Sequence, residues 1–223
     1  MLLKRCPVCP PQSENSGANM KLTIALAGNP NCGKTTMFNN LTGAHQHVGN
    51  WPGVTVERKS GIVNFDVKGC QKGEVEVIDL PGTYSLSPFS RDEVVAADYL
   101  VDGNPDCILN IVDGTNLNRN LYLTTQLVEL GIPVVIAINM IDVVKKRGDS
   151  INIPKLSAKL GVPVVEVSAI SGEGLRKAIE ECRDAVEHKL LPAKQRIFSD
   201  SVENALANIE KTLPQNIDHI RFL

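Results

Sequence analysis

The sequence predicts an α/β fold: a doubly wound, mostly parallel sheet with one antiparallel strand, followed by a short helical appendage. Three observations carry that prediction. From Lys21 onward, short apolar runs alternate with helix-length amphipathic segments, the pattern of strands that cross over through helices into a parallel sheet. Two runs, Val56–Phe65 and Glu74–Ile78, are joined only by the turn Lys68-Gly69-Cys70-Gln71-Lys72-Gly73, so they read as a hairpin that supplies the antiparallel strand. The first run, Leu22–Ala27, passes through a glycine-rich loop straight into a helix start.

Composition is consistent with this and excludes several classes. At 223 residues, 43% hydrophobic and 22% charged, the chain has the make-up of an ordinary globular protein with one sizeable core and a small addition. A net charge of -2 provides no electrostatic footprint for nucleic acid. No apolar run approaches the length of about 18 residues that spans a bilayer, and Met1-Leu2-Leu3-Lys4-Arg5 does not begin a secretory signal. The chain is therefore expected to be soluble and to face the cytoplasm. The cysteines are scattered without a disulfide framework. Cys6-Pro7-Val8-Cys9 has no second ligand pair, and it reads as part of a flexible tail over residues 1–19 rather than as a metal site.

In order, strand one is expected over about 21–27 and helix one over 34–41. Residues 42–55 show no helical period, and a connection that long in a compact domain is usually functional. The hairpin comes next, then a helix over Arg91–Val101. Three strand-then-helix units complete the sheet: Cys107–Val112 with Leu117–Leu130, Val134–Ile138 with Pro154–Leu160, and Val162–Val167 with Leu175–His188. Beyond Pro192, Asp200–Glu210 reads as an amphipathic helix with Val202, Leu206 and Ile209 on one side. The apolar ending Arg221-Phe222-Leu223 suggests a fragment of something longer.

The chemistry centres on Gly28-Asn29-Pro30-Asn31-Cys32-Gly33-Lys34-Thr35, which has the spacing G-x-x-x-x-G-K-[ST] of a phosphate-binding loop. Glycines there let backbone N–H groups close around phosphates, and the helix N-terminus adds its partial positive charge. The backbone of Asn29, Pro30, Asn31, Cys32 and Gly33 forms the cradle, with Thr36 entering the helix. Lys34 reaches the β/γ-phosphates and Thr35 offers a hydroxyl to Mg²⁺. Asp79-Leu80-Pro81-Gly82 fits D-x-x-G, in which Asp79 holds Mg²⁺ through water and the Gly82 N–H meets the γ-phosphate. Asn139-Met140-Ile141-Asp142 fits N-x-x-D, and the Asp142 carboxylate accepts hydrogen bonds from guanine N1–H and N2–H₂ that adenine cannot offer. Met140 stands where a lysine stem is usual, so weaker guanine affinity is expected. Ser168-Ala169 follows the last long strand and completes the base pocket with a backbone N–H. These elements, each at a strand end, point to a P-loop GTPase fold.

The loop, the string Gly49-Asn50-Trp51-Pro52-Gly53-Val54-Thr55-Val56-Glu57, Asp79-Leu80-Pro81-Gly82-Thr83-Tyr84-Ser85-Leu86 and Asn139-Met140-Ile141-Asp142 together resemble the cytoplasmic G domain of the bacterial ferrous-iron transporter family FeoB. The likeness covers about residues 21–188, and the tail resembles the start of that family's helical GDI-like domain. It implies three parts: a tail over 1–19, a G domain over 20–188, and a partial helical region over 189–223. It also implies GTP and GDP as ligands, a fused membrane permease absent from this chain, and a place at the cytoplasmic face of the bacterial inner membrane. No nucleic-acid partner is implied, and a homo-oligomer is left open. Cys32, where Ser or Ala is more usual, and the N-terminal tail depart from the pattern.

For catalysis, Thr83 occupies the place where many GTPases have a water-orienting glutamine, and Arg58 and Arg91 read as solvated rather than as arginine fingers. Asn31 suggests a different device. In the resembled family this residue marks potassium activation, with carbonyls of the first switch, here Gly49 and Trp51, completing the shell. Loop stabilisation by the Asn31 side chain is the alternative. Thr55 is the expected first-switch threonine, with Gly53 and Val54 beside it, ligating Mg²⁺ and contacting the γ-phosphate. Catalysis thus rests on Asn31, Lys34, Thr55 and Gly82. Glu93 is a candidate to position water through the second switch, although it reads more readily as a solvated helix residue, and His45 with His47, two residues alone, gives an iron site little support. A ribosome- or tRNA-directed GTPase and a nucleotide-sensing switch with incidental hydrolysis remain as other readings.

Overall fold

The two most apolar strands set the frame. β5 (Cys107–Asp113) and β6 (Val134–Asn139) are buried along almost their whole length, as expected for the middle of a parallel sheet covered on both faces. The computed structural model describes residues 21–43, 45–67, 71–87, 89–103, 105–192 and 199–212; the N-terminal tail and the turn at residues 68–70 lie outside them. β1 (Lys21–Gly28), β2 (Gln46–Asn50), β3 (Glu57–Val67), β4 (Gln71–Asp79) and β7 (Val164–Glu166) join β5 and β6 in a seven-stranded sheet of order β2-β3-β4-β1-β5-β6-β7. β3 pairs antiparallel with both β2 and β4, and every other pairing is parallel. β3 is thus the single reversed strand.

Helices cover both faces. α1 (Lys34–Thr42) and α6 (Leu175–Glu187) bury Met37, Phe38, Ala178, Ile179 and Cys182 against one side of the sheet. On the other side lie α2 (Arg91–Asp102), α3 (Leu117–Glu129) and α5 (Ile153–Leu160), with Val95, Leu100, Leu123 and Leu127 in the core. α2 starts with a capping box between Ser90 and Glu93, so the half-buried Glu93 also caps the helix. α7 (Asp200–Thr212) is the helix expected beyond Pro192.

Two elements depart from the sequence reading. Residues 46–50 form β2 instead of staying a loop: Gly49 pairs with Arg58 and Asn50 with Glu57. Most of β2 is exposed, so no burial pattern marks it; the free edge of β3 supplies its partner. α4 (Ile141–Lys146) opens inside the N-x-x-D motif after Met140, whose φ of 60° is left-handed.

The register brings the carboxyl ends of the central strands together. Leu26 lies beside Asp79, Gly28 beside Ile111, and Asp113 beside Asn139. β1 is flanked by β4 and β5, so the chain leaves it at a topological switch point, where α/β sheets bind ligands.

Candidate nucleotide site

The phosphate loop is shaped by contacts that no side chain could replace. Gly33 has a φ of 90°, and a Cβ there would collide with Nδ2 of Asn139. A Cβ on Gly28 would meet the Ile111 carbonyl at 2.7 Å and the Cys32 Sγ at 2.8 Å. Asn31 adopts a left-handed φ of 65° and is exposed, a conformation that Asn tolerates better than most residues. Cys32 is buried, and desolvation pushes its thiol up to about 11, so it stays protonated at neutral pH. It is a packing residue, closed to alkylation.

At the start of α1, Lys34 is buried and donates to Oδ1 of Asp79, itself buried at the end of β4. The first charges expected to meet phosphate and Mg²⁺ therefore neutralise each other within the protein. Gly82 packs against Pro30: a Cβ on Gly82 would lie 3.3 Å from the Pro30 Cα. The Thr83 N–H donates to the Gly28 carbonyl at 3.2 Å and Thr83 is buried. The D-x-x-G segment and the phosphate loop are thus one packed unit.

Asn139 joins the loop to the base side. Its Nδ2 donates to the Cys32 carbonyl at 2.8 Å, and its Oδ1 accepts from the Ala169 N–H at 2.8 Å. The residue is 3% exposed, so it acts as a strut between three loops. This amends the expectation for Ser168-Ala169, because both backbone donors already have partners: Ala169 in Asn139, and Ser168 in the Glu173 carbonyl at 3.0 Å. Asn40 of α1 adds a donor to the Ala169 carbonyl. Asp142 lies half-buried in the first turn of α4, beside Met140.

The first switch is arranged differently. Gly49 lies in β2, and the Trp51 carbonyl accepts from the Val54 N–H at 3.3 Å. Trp51 is buried with its ring edge-on to Tyr99 of α2 at 5.1 Å, and the Arg58 guanidinium lies over it at 5.2 Å. Arg58 is therefore a packing residue and not a solvated one, whereas Arg91 is exposed. Thr55, Thr35 and Thr36 are exposed and Gly53 has a φ of 74°. Among the described residues, no hydrogen bond joins Thr55 to the phosphate loop.

The family model described as "Ferrous iron transport protein B" matches residues 22–182. The chain belongs to the FeoB family. A fusion protein of Fe(2+) transport protein A and the Fe(2+) transporter FeoB from Porphyromonas gingivalis is 54% identical over 69% of the chain. The Fe(2+) transporter FeoB of Escherichia coli K12 is 45% identical over 88%. The chain spans 18% and 25% of those two FeoB proteins. Among solved structures, the cytosolic domain of T. maritima FeoB in a GDP form superposes with a TM-score of 0.82, at 38% identity, covering 92% of this chain and 79% of that one. A GDP-bound S. thermophilus NFeoB variant superposes with a TM-score of 0.81, at 48% identity, covering 90% and 76%. The seven-stranded sheet is accordingly the P-loop fold of FeoB G domains. Among the described residues, no helix is long and apolar enough to cross a membrane.

Motif spacing missed Asn40, which bonds to the Ala169 carbonyl, and Arg119 and Gln126, which touch the phosphate loop and the segment after Gly82. The one available signal is that Arg119 and Gln126 sit seven apart, on one face of the predicted helix.

Proposed function

We propose that this chain is the guanine-nucleotide-binding and GTP-hydrolysing domain of a ferrous-iron transporter, with hydrolysis assisted by Mg²⁺ and potassium. The observation that carries the reading is the meeting of three strand ends at one loop: Lys34 on Asp79, Gly82 on Pro30, and Asn139 on Cys32. The GDP-bound FeoB relatives support the choice of guanine nucleotide.

Binding begins with the loop N–H groups and Lys34, which exchanges Asp79 for the phosphates. That exchange frees the Asp79 carboxylate, and with the Thr35 hydroxyl it makes a set of hard oxygens suited to Mg²⁺. Held there, Mg²⁺ would supply positive charge to the β- and γ-phosphate oxygens. Asp142 accepts from the guanine N1–H and N2–H₂, and Met140 contributes apolar packing alone. The Gly82 N–H faces the γ-phosphate, with Thr55 approaching from the first switch. Water then attacks the γ-phosphorus, and GTP and water become GDP and phosphate.

Thr83 is buried and its N–H is bound to Gly28, so it does not take the place of a water-orienting glutamine. Asn31, exposed at the loop crest, presents an amide oxygen suited to potassium, which would set positive charge beside the β–γ bridge. Gly49 and Trp51 join that shell only after the first switch leaves its present pairing. The relatives are transporters that extend far beyond the matched region, which supports a fused permease and a site at the cytoplasmic face of the membrane.

The test is GTP turnover in matched potassium and sodium salts, alongside titration with GDP and ADP. Turnover should be faster in potassium, and Asn31→Asp or Asn31→Leu should remove the difference. Equal rates in the two salts would refute the potassium role, and binding of ADP as tight as GDP would refute the guanine assignment.

A further inference from the structure

Helix α3 carries none of the nucleotide motifs, yet it touches both loops that face the γ-phosphate. The Arg119 carbonyl accepts from Nδ2 of Asn29, a phosphate-loop residue only 3% exposed, at 3.3 Å. The Arg119 guanidinium lies 4.2 Å from the ring centroid of Tyr84, two residues beyond Gly82. Two turns later, Oε1 of Gln126 accepts from the Leu86 N–H at 2.8 Å. One helix face therefore holds the second switch at two alternate residues and the phosphate loop at a third point.

We infer that Arg119 is a positioning residue for GTP hydrolysis: it clamps Tyr84 by its guanidinium while its carbonyl holds Asn29, so that α3 keeps Gly82 in register with the phosphate loop. The inference rests on the GTPase reading above. Its physical basis is preorganisation. Thr83 offers no catalytic side chain, so the rate depends on how well the backbone at Gly82 is held, and donors aimed in advance cost no reorganisation during reaction. The guanine site at Asp142 lies on another loop, so nucleotide affinity is insulated from the clamp. Leu86 stays tied to Gln126 when Arg119 is shortened. The switch then loosens at Tyr84 without detaching.

The contact is a partly exposed cation–π pair, since Tyr84 is 39% exposed, and pairs of this kind correspond to about a two- to fivefold effect. The experiment compares single-turnover GTP hydrolysis, GDP affinity and thermal unfolding for wild type, Arg119→Ala, Tyr84→Leu, Tyr84→Phe and the Arg119→Ala/Tyr84→Leu double variant. Arg119→Ala and Tyr84→Leu should each slow hydrolysis by that factor, and the double variant should be no slower than either. Tyr84→Phe keeps the ring and should recover the rate lost in Tyr84→Leu. GDP affinity and unfolding temperature should not follow the rate. An unchanged or raised rate in Arg119→Ala would overturn the inference, as would multiplicative loss in the double variant or a parallel fall in GDP affinity. A wild-type chain that binds GDP and turns over no GTP would overturn the GTPase reading as well, which separates the two failures.

Discussion

On the base side of the phosphate loop, Asn139 is buried, and its two amide atoms are bound to Cys32 and Ala169, each at 2.8 Å. Across the loop, residues 46–50 form an exposed edge strand, and the Trp51 side chain is held by ring contacts to Tyr99 and Arg58, while its backbone bonds to Val54 and Val56. Directional bonds between buried groups have one good geometry and fail as a unit. Ring contacts at a sheet edge are weaker and can be exchanged for others. The two sides of the loop thus differ in kind: one is a frame of buried hydrogen bonds, and the other an exposed edge strand whose Trp51 side chain rests on ring contacts.

The largest test of that contrast is Lys34→Ala in nucleotide-free protein. It leaves the Asp79 carboxylate buried without its cation, and breaking such a pair is expected to cost about 3 kcal/mol; denaturant unfolding measures it. A stability equal to wild type would mean that the frame does not depend on this ion pair. Next comes Asn139→Ala, which strands the Cys32 carbonyl and the Ala169 N–H. A loss of about 1–3 kcal/mol in stability is expected, together with a sharp fall in GDP affinity seen by titration. If affinity fell while stability held, Asn139 would be a ligand contact and not a strut.

The smallest effect is expected on the side of the edge strand. Arg58→Ala removes a contact of about 1 kcal/mol and should red-shift emission from Trp51, the only tryptophan, as its ring gains water. GDP affinity should stay near wild type. A large loss of affinity there would erase the distinction between the two regions.

Much of this was legible in the sequence. The strand ends at Gly28 and Asn139 were legible because apolar runs stop at motif residues, a pattern that burial of a parallel sheet enforces, and the end at Asp79 because the alternating run Glu74–Ile78 stops there. β2 was not, because Gln46–Asn50 is mostly exposed and its only partner is the edge of β3. α4 escaped notice because its six residues begin inside a motif, after a left-handed Met140. Arg58 read as solvated because charge alone implies water, whereas here its planar head stacks on an indole.

By itself the sequence determined the fold class, the phosphate loop and the three motifs that surround it, since each depends on residue types at short fixed spacings. The tertiary structure alone decided who holds whom. Asn139 meets a carbonyl 107 residues away, Lys34 meets a carboxylate 45 away, and Asn29 meets a carbonyl 90 away. Such partners are chosen by sheet order and register, which local propensity does not encode. The same holds for the loop at the centre: its residues announce a phosphate site, and its shape is set by strands and helices far along the chain.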